Sequence, residues 1–280
     1  MRKTVTILVS LLFAASAFAQ NAGDEFKASY ERQVRNVGYA GVGVETIINR
    51  WEAADPDDPY MLLAKHNFNL IKAQSTQVVV KDKRRYLGME PVLSLKDSLD
   101  KDVYYFQEVV YDDDLYAEAI RAIDRAISIN DLELRYILSK ITALVSYEKE
   151  SPDMAAAELT AFIDRYTATK DRPWTLDGER VGEDVFLQAV GEYCYSFFQT
   201  ASDASYDYFF KISQKMSKLY PKDVVFINNQ GAYWQAAKKD NKKALRFYKK
   251  AIKLDPDDYA ANRNIKLIES SQSKKGRSSK

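Results

Sequence analysis

The most regular signal along the chain is the return of apolar residues every three or four positions. That spacing puts them on one face of an α-helix. On this basis helices are expected near residues 24–37, 42–54, 58–74, 112–129, 132–148, 153–167, 183–200, 203–219, 222–238, 241–254 and 257–271. Residues 76–111 break the rhythm with Val78-Val79-Val80, the polar run Lys81 to Arg85, and Gly88-Met89-Glu90-Pro91. Two short runs follow, Val92-Leu93-Ser94-Leu95 and Val103-Tyr104-Tyr105-Phe106, separated by Lys96 to Asp102. Their β-branched and aromatic content predicts a strand-turn-strand hairpin rather than a helix. Residues 168–182, with Arg172-Pro173-Trp174, read as a long connection, and the serine- and lysine-rich tail from Ser270 to Lys280 reads as disordered.

The helical pattern repeats. In Lys243 to Pro256, Ala244, Tyr248 and Ala251 lie four and three apart on one face. The two alanines let a neighbouring helix approach closely, Tyr248 fills the space between them, and Pro256 ends the helix. The same offsets recur at Ala119, Ile123 and Ala126, at Val44, Ile48 and Trp51, and at Phe209, Ser213 and Met216. The turn Asp55-Pro56-Asp57-Asp58 matches Asp255-Pro256-Asp257-Asp258 residue for residue, and Pro221 precedes Pro256 by about one period of ~34 residues.

These residues resemble the tetratricopeptide repeat, or TPR, whose second helix carries Ala-x3-aromatic-x2-Ala-x4-Pro. Gly231 and Tyr233 stand where that family's first helix has a glycine and a tyrosine, though closer together than usual. The likeness is fullest over 222–269 and weaker over 41–71 and 112–166. It implies an all-α fold, an α-solenoid of TPR-like helix pairs with a short β-hairpin-containing insert. The expected organisation is a signal peptide over 1–19, TPR-like helices over 20–75, the insert over 76–111, TPR-like repeats over 112–271 and a disordered basic tail over 272–280.

The N-terminus bears on location. Arg2 and Lys3 precede an apolar stretch from Val5 to Ala15, and Ala17-Phe18-Ala19 offers small residues for signal peptidase, so cleavage is expected before Gln20. The apolar stretch is shorter than the ~20 residues that cross a bilayer core. A soluble periplasmic or secreted protein is the expectation. A formal net charge of +1 supplies no field that would attract nucleic acid.

Candidate chemistry is sparse. His66 is the sole histidine and Cys194 the sole cysteine, so a Ser-His-Asp triad would have to use His66, and zinc sites lack ligands. His66 is expected to pack between repeats or face solvent, and Cys194 to be a small core thiol. Gly38, Gly41 and Gly43 lack the third glycine spacing of a dinucleotide fingerprint and fit a turn between helices. Asp55 to Asp58 and Asp112-Asp113-Asp114 each precede a predicted helix, where aspartates cap free amides. No cofactor or metal is expected.

The resemblance implies a groove lined by the first helix of each pair, with another protein or peptide as partner. Asn228, Asn229, Ala232 and Gln235 would point into it, joined by Arg263 and Asn264 from the following helix. Arg263 is the foremost candidate, since a guanidinium binds a carboxylate through two hydrogen bonds. A protein-binding scaffold of the bacterial envelope is therefore the leading expectation. A carbohydrate- or nutrient-binding envelope protein is the alternative, and an enzyme without familiar motifs comes third.

Overall fold

A computed structural model of the chain describes residues 23–278, with side chains through Ser271. The expected signal peptide and its cleavage point lie outside the described residues. The chain is predominantly helical and divides into two compact units. One gathers the residues up to Val79, Gln107–Ala143 and Asp171–Val181; the other gathers Val80–Phe106, Leu144–Lys170 and the chain from Gly182 onward.

In the first unit, α1 covers residues 23–37. A turn through Gly38 (φ 80°) and Gly43 (φ 85°) leads into α2, Val44–Ala54. The left-handed backbone at both glycines is one that a side chain would strain, so they serve the turn. Helix α2 buries Val44, Ile48 and Trp51, the face expected from their spacing. Asp58 caps α3 (Pro59–Lys72), accepting from the amides of Tyr60 and Met61. Asp112 caps α4 (Asp113–Ile129) through Leu115 N–H. Helix α3 packs chiefly on α4, and its burial on several sides fits a helix flanked by α2 and α4. The unit closes with the start of α5, Leu134–Glu148.

Residues 168–182 hold more structure than a connection. Strands β4 (Thr175–Leu176) and β5 (Glu179–Arg180) form an antiparallel hairpin. Its turn residues Asp177 and Gly178 have φ of 54° and 81°, the positive pair that an Asp-Gly two-residue hairpin turn requires. Trp174 leads into it, buried. Such a short hairpin cannot hold by itself, and its anchor is Glu133, described below.

In the insert, β2 (Leu93–Lys96) pairs antiparallel with β3 (Asp102–Tyr111), Leu93 opposite Tyr105 and Leu95 opposite Val103. This is the expected hairpin. A further strand, β1 (Gln74–Lys81), carries Val78-Val79-Val80 and completes a sheet of order β1-β3-β2.

The second unit carries α6 (Asp153–Thr169), α7 (Glu183–Thr200), α8 (Asp203–Leu219), α9 (Val224–Ala236), α10 (Asn241–Leu254) and α11 (Tyr259–Ser278). Ala244, Tyr248 and Ala251 are wholly buried with Ile227, Ala261 and Ile268. A Cβ added at Gly231 would stand 2.6 Å from the Tyr248 ring, so the glycine is required for the ring to lie against α9. Burying an aromatic of that size contributes ~2–3 kcal/mol. This is the glycine-on-aromatic packing of a TPR-like helix pair. Phe209, Ser213 and Met216 on α8 are buried at the corresponding offsets.

Helix α11 runs through Ser278. Ser270 and Ser271 donate back to the carbonyls of Leu267 and Ile268, and extending an existing helix needs only one new bond per residue.

Candidate functional site

A concave surface lies within the first unit, where α1, α3 and the start of α5 present side chains to one groove. Two adjoining depressions of about 580 and 560 Å³ share Lys27, Tyr60, Leu63, Arg135 and Asp177 as walls. Helix α1 supplies Lys27, Tyr30, Glu31 and Arg35, helix α3 supplies Tyr60, Leu63 and Asn67, and α5 supplies Arg135 and Ser139. Lys27, Glu31 and Arg35 are four apart, Tyr30 is three from Lys27, and the α3 and α5 residues are three or four apart, so each set shares a helix face.

Tyr60 is the centre of the floor. Its hydroxyl donates to Glu31 Oε1 at 3.0 Å, and the Lys27 ammonium lies 4.2 Å from its ring centroid. Burial, with Glu31 beside it, holds the Tyr60 phenol protonated well above its ordinary range. Trp51 stacks between Phe26 and Tyr60, and its Nε1–H donates to Asp58 Oδ2 at 2.9 Å. The aspartate that caps α3 therefore also fixes the indole behind the floor.

One wall is built by Glu133, only 4% exposed. Its carboxylate accepts from Arg135 N–H, Thr175 Oγ1–H, Asp177 N–H and Gly178 N–H at 2.8–3.1 Å. Four donors on one buried carboxylate satisfy a charge that would otherwise cost several kcal/mol to desolvate. They also bind the β4–β5 turn to the start of α5. Asp177 then meets Arg135 in a two-pronged pair, Nε to Oδ1 at 2.7 Å and Nη2 to Oδ2. The guanidinium holds Asp177 below the usual carboxylate range.

The residues expected to bind from the C-terminal pair sit differently. Asn228 is buried, and its amide donates to Asp258 Oδ1 at 2.8 Å. Gln235 Oε1 accepts from the Tyr248 hydroxyl at 2.7 Å. Both spend hydrogen bonds inside the second unit. Asn264 lies beside Tyr248, Asn229 and Ala232 are half-buried, and Arg263 is exposed on α11. The first-unit groove escaped sequence reading because Glu133 and the hairpin it grips are more than forty residues apart. The local trace of it was Asp177-Gly178, a hairpin dipeptide.

His66 and Cys194, the chain's single histidine and single cysteine, are both buried. His66 Nδ1–H donates to the Ala119 carbonyl at 2.9 Å with the ring buried, and burial lowers its pKa, so the imidazole is a neutral packing group between α3 and α4. Cys194 is fully buried beside Ser213, and burial pushes its thiol up to about 12. Among the described residues no helix is long and apolar enough to cross a membrane.

No family model matches the chain, and no curated protein is significantly similar to it. Solved structures do align with it. YrrB, described as a TPR protein with an unusual peptide-binding site, is 14% identical, with 88% of this chain and 89% of that chain covered and a TM-score of 0.42. The MamA protein is 11% identical, with 86% and 92% covered and the same TM-score of 0.42. At that degree of superposition the description of this chain as TPR-like rests on its own helix pairs and their packing.

Proposed function

We propose that this protein is a protein-binding scaffold that holds an extended segment of a partner in the groove across α1, α3 and the start of α5. The observation that carries this is the convergence of three helices on one open floor. There an aromatic ring and Leu63 offer an apolar seat, while Asn67, Ser139, Lys27 and Arg35 offer hydrogen bonds and charge. An open groove that runs over several helices suits recognition of a chain segment. Export to the cell envelope belongs to the same proposal and is supported by the Ala17-Phe18-Ala19 site. Sequencing the N-terminus of the native protein tests it, with Gln20 as the expected first residue.

The groove is tested by Tyr60→Ala together with crosslinking in the native envelope. The variant should lose a captured partner while keeping its helical circular dichroism, since Tyr60 is only half-buried. Undiminished capture would move the site, and the exposed face around Asn229 and Arg263 would then be the next to vary.

A further inference from the structure

We propose that the second unit carries a separate binding site, for a short neutral saccharide, in the cleft between the α7–α8 turn and the Tyr86–Met89 turn of the insert.

The cleft is an open depression of about 680 Å³ and shares no lining residue with the first-unit groove. That volume is typical of small-molecule sites, which span roughly 300–1,000 Å³. Its frame is set by the backbone. Met89 N–H donates to the Tyr86 carbonyl at 2.9 Å, closing the turn of the insert. A Cβ added at Gly88 would stand 2.2 Å from the Gln199 carbonyl oxygen, so this turn rests directly on the last turn of α7. The Ser202 hydroxyl donates to the Glu150 carbonyl, which ties Glu150 to the α7–α8 turn. Leu87 and Ala201, with φ of 50° and 58°, both line the cleft in left-handed backbone. That conformation is costly outside glycine and gathers at ligand sites.

The walls combine aromatic rings with unspent polar groups. Tyr195 is 56% exposed, and no ring or cation stands against it among the described residues. Phe198 and Tyr206 meet edge to face at 5.5 Å and add apolar surface. The Tyr195 and Tyr206 hydroxyls, the Gln199 carboxamide, the Glu150 and Asp203 carboxylates and the Lys83 ammonium form no hydrogen bond or ion pair among the described residues. A saccharide matches this pattern. Its ring presents a C–H face that packs on an aromatic ring, and its hydroxyls both donate and accept. Charge is balanced in the lining, with Lys83 and Arg85 against Glu150 and Asp203, which favours a neutral sugar over an acidic one. The Gly88–Gln199 contact walls the cleft on one side, which suits a compact ligand.

The test titrates neutral trisaccharides (maltotriose, cellotriose, xylotriose, mannotriose and N-acetylated chitotriose) into the purified protein by calorimetry and saturation-transfer NMR. Trigalacturonate is the acidic control, and every variant is shown folded by circular dichroism. At least one neutral trisaccharide is expected to bind at millimolar concentration or below. Tyr195→Ala should weaken it about tenfold by removing the ring, and Tyr195→Phe should restore most of that loss. Gln199→Ala should weaken it about fivefold through lost hydrogen bonds. Tyr259→Ala removes a ring that is 76% exposed elsewhere in the unit and should leave affinity unchanged. Absence of neutral-sugar binding at millimolar concentration overturns the site. Affinity indifferent to both Tyr195→Ala and Gln199→Ala overturns it as well. An equal loss in Tyr259→Ala overturns it too, since stacking on any exposed tyrosine would then explain the binding. Tighter binding of trigalacturonate than of every neutral sugar overturns the neutral ligand.

Discussion

Two turns of identical sequence, Asp55-Pro56-Asp57-Asp58 and Asp255-Pro256-Asp257-Asp258, have the same local geometry and different surroundings. In both, the first aspartate amide closes the preceding helix, onto Trp51 O at 2.8 Å and Ala251 O at 2.9 Å. In both, its side chain accepts from the amide two residues on, at 3.2 and 3.1 Å. The last aspartate caps the next helix in each case. The difference is what that aspartate also holds: the indole of Trp51 in one turn, the amide of Asn228 in the other. Trp51 and Tyr60 make the first turn the back of a groove. At the second turn Ala251 admits a neighbouring helix, and Tyr259 stands 76% exposed. Four residues specify a turn; the side chains one helical turn away decide whether it becomes part of a site.

The comparison breaks most severely if the residues before the turns are exchanged. Trp51→Ala should remove ~3–5 kcal/mol by emptying a buried aromatic site. Ala251→Trp should cost several kcal/mol by forcing a large ring where the atoms of two helices touch, and Ala251→Arg should cost as much by burying a charge. Thermal melts followed by circular dichroism measure all three, and an unchanged melting temperature for either Ala251 variant would mean that the repeat register is wrong.

Acid separates the two turns next. Burial lowers the pKa of His66, so the unfolded chain takes up a proton that the folded chain refuses. The stabilising effect is fully present above the unfolded value of ~6.5 and is lost as pH falls below it, by up to ~1.4 kcal/mol per pH unit. His66→Gln should flatten that slope in denaturant titrations between about pH 6.5 and 5, while an Ala251 variant should leave it unchanged.

The caps sharpen the comparison further. Asp58→Ala and Asp258→Ala should each cost ~1–2 kcal/mol through the lost cap. Trp51 should report only the former, as a shift in its fluorescence when the indole N–H loses its acceptor. The smallest effects are expected on the surface. Arg135→Ala removes an exposed pair worth at most ~1 kcal/mol, and its readout is an upward move of the Asp177 titration by NMR toward the ordinary carboxylate range. Arg263→Ala should leave stability within ~0.5 kcal/mol. Loss of partner binding in that variant would shift the binding face to the C-terminal pair.

Much of this molecule was legible in local chemistry. The spacing of Ala244, Tyr248 and Ala251 named the buried face of α10, Asp58 and Asp112 declared themselves as caps, and β2 and β3 followed from the β-branched and aromatic content of their runs. Helix starts and ends depend on side chains within one turn, and those are read directly from consecutive residues. The site was less legible. Asn228 and Gln235 look like binding residues on a helix face, yet each meets an internal partner from another helix. Glu133 looks like an ordinary surface acid, yet it is buried under a turn that arrives from beyond α6.

What the sequence by itself determined is the helical class, the pairing of helices through small residues and aromatics, the caps and the hairpin of the insert. All of these are governed by interactions over a few residues and by the 3.6-residue period. What only the tertiary structure decided is which polar side chains remain available to a partner. A carboxylate or amide can satisfy its hydrogen bonds with any donor the fold brings near, and the sequence does not record which one arrives. Glu31 accepts from the Tyr60 hydroxyl and Asp177 pairs with Arg135, contacts decided by packing across the helices.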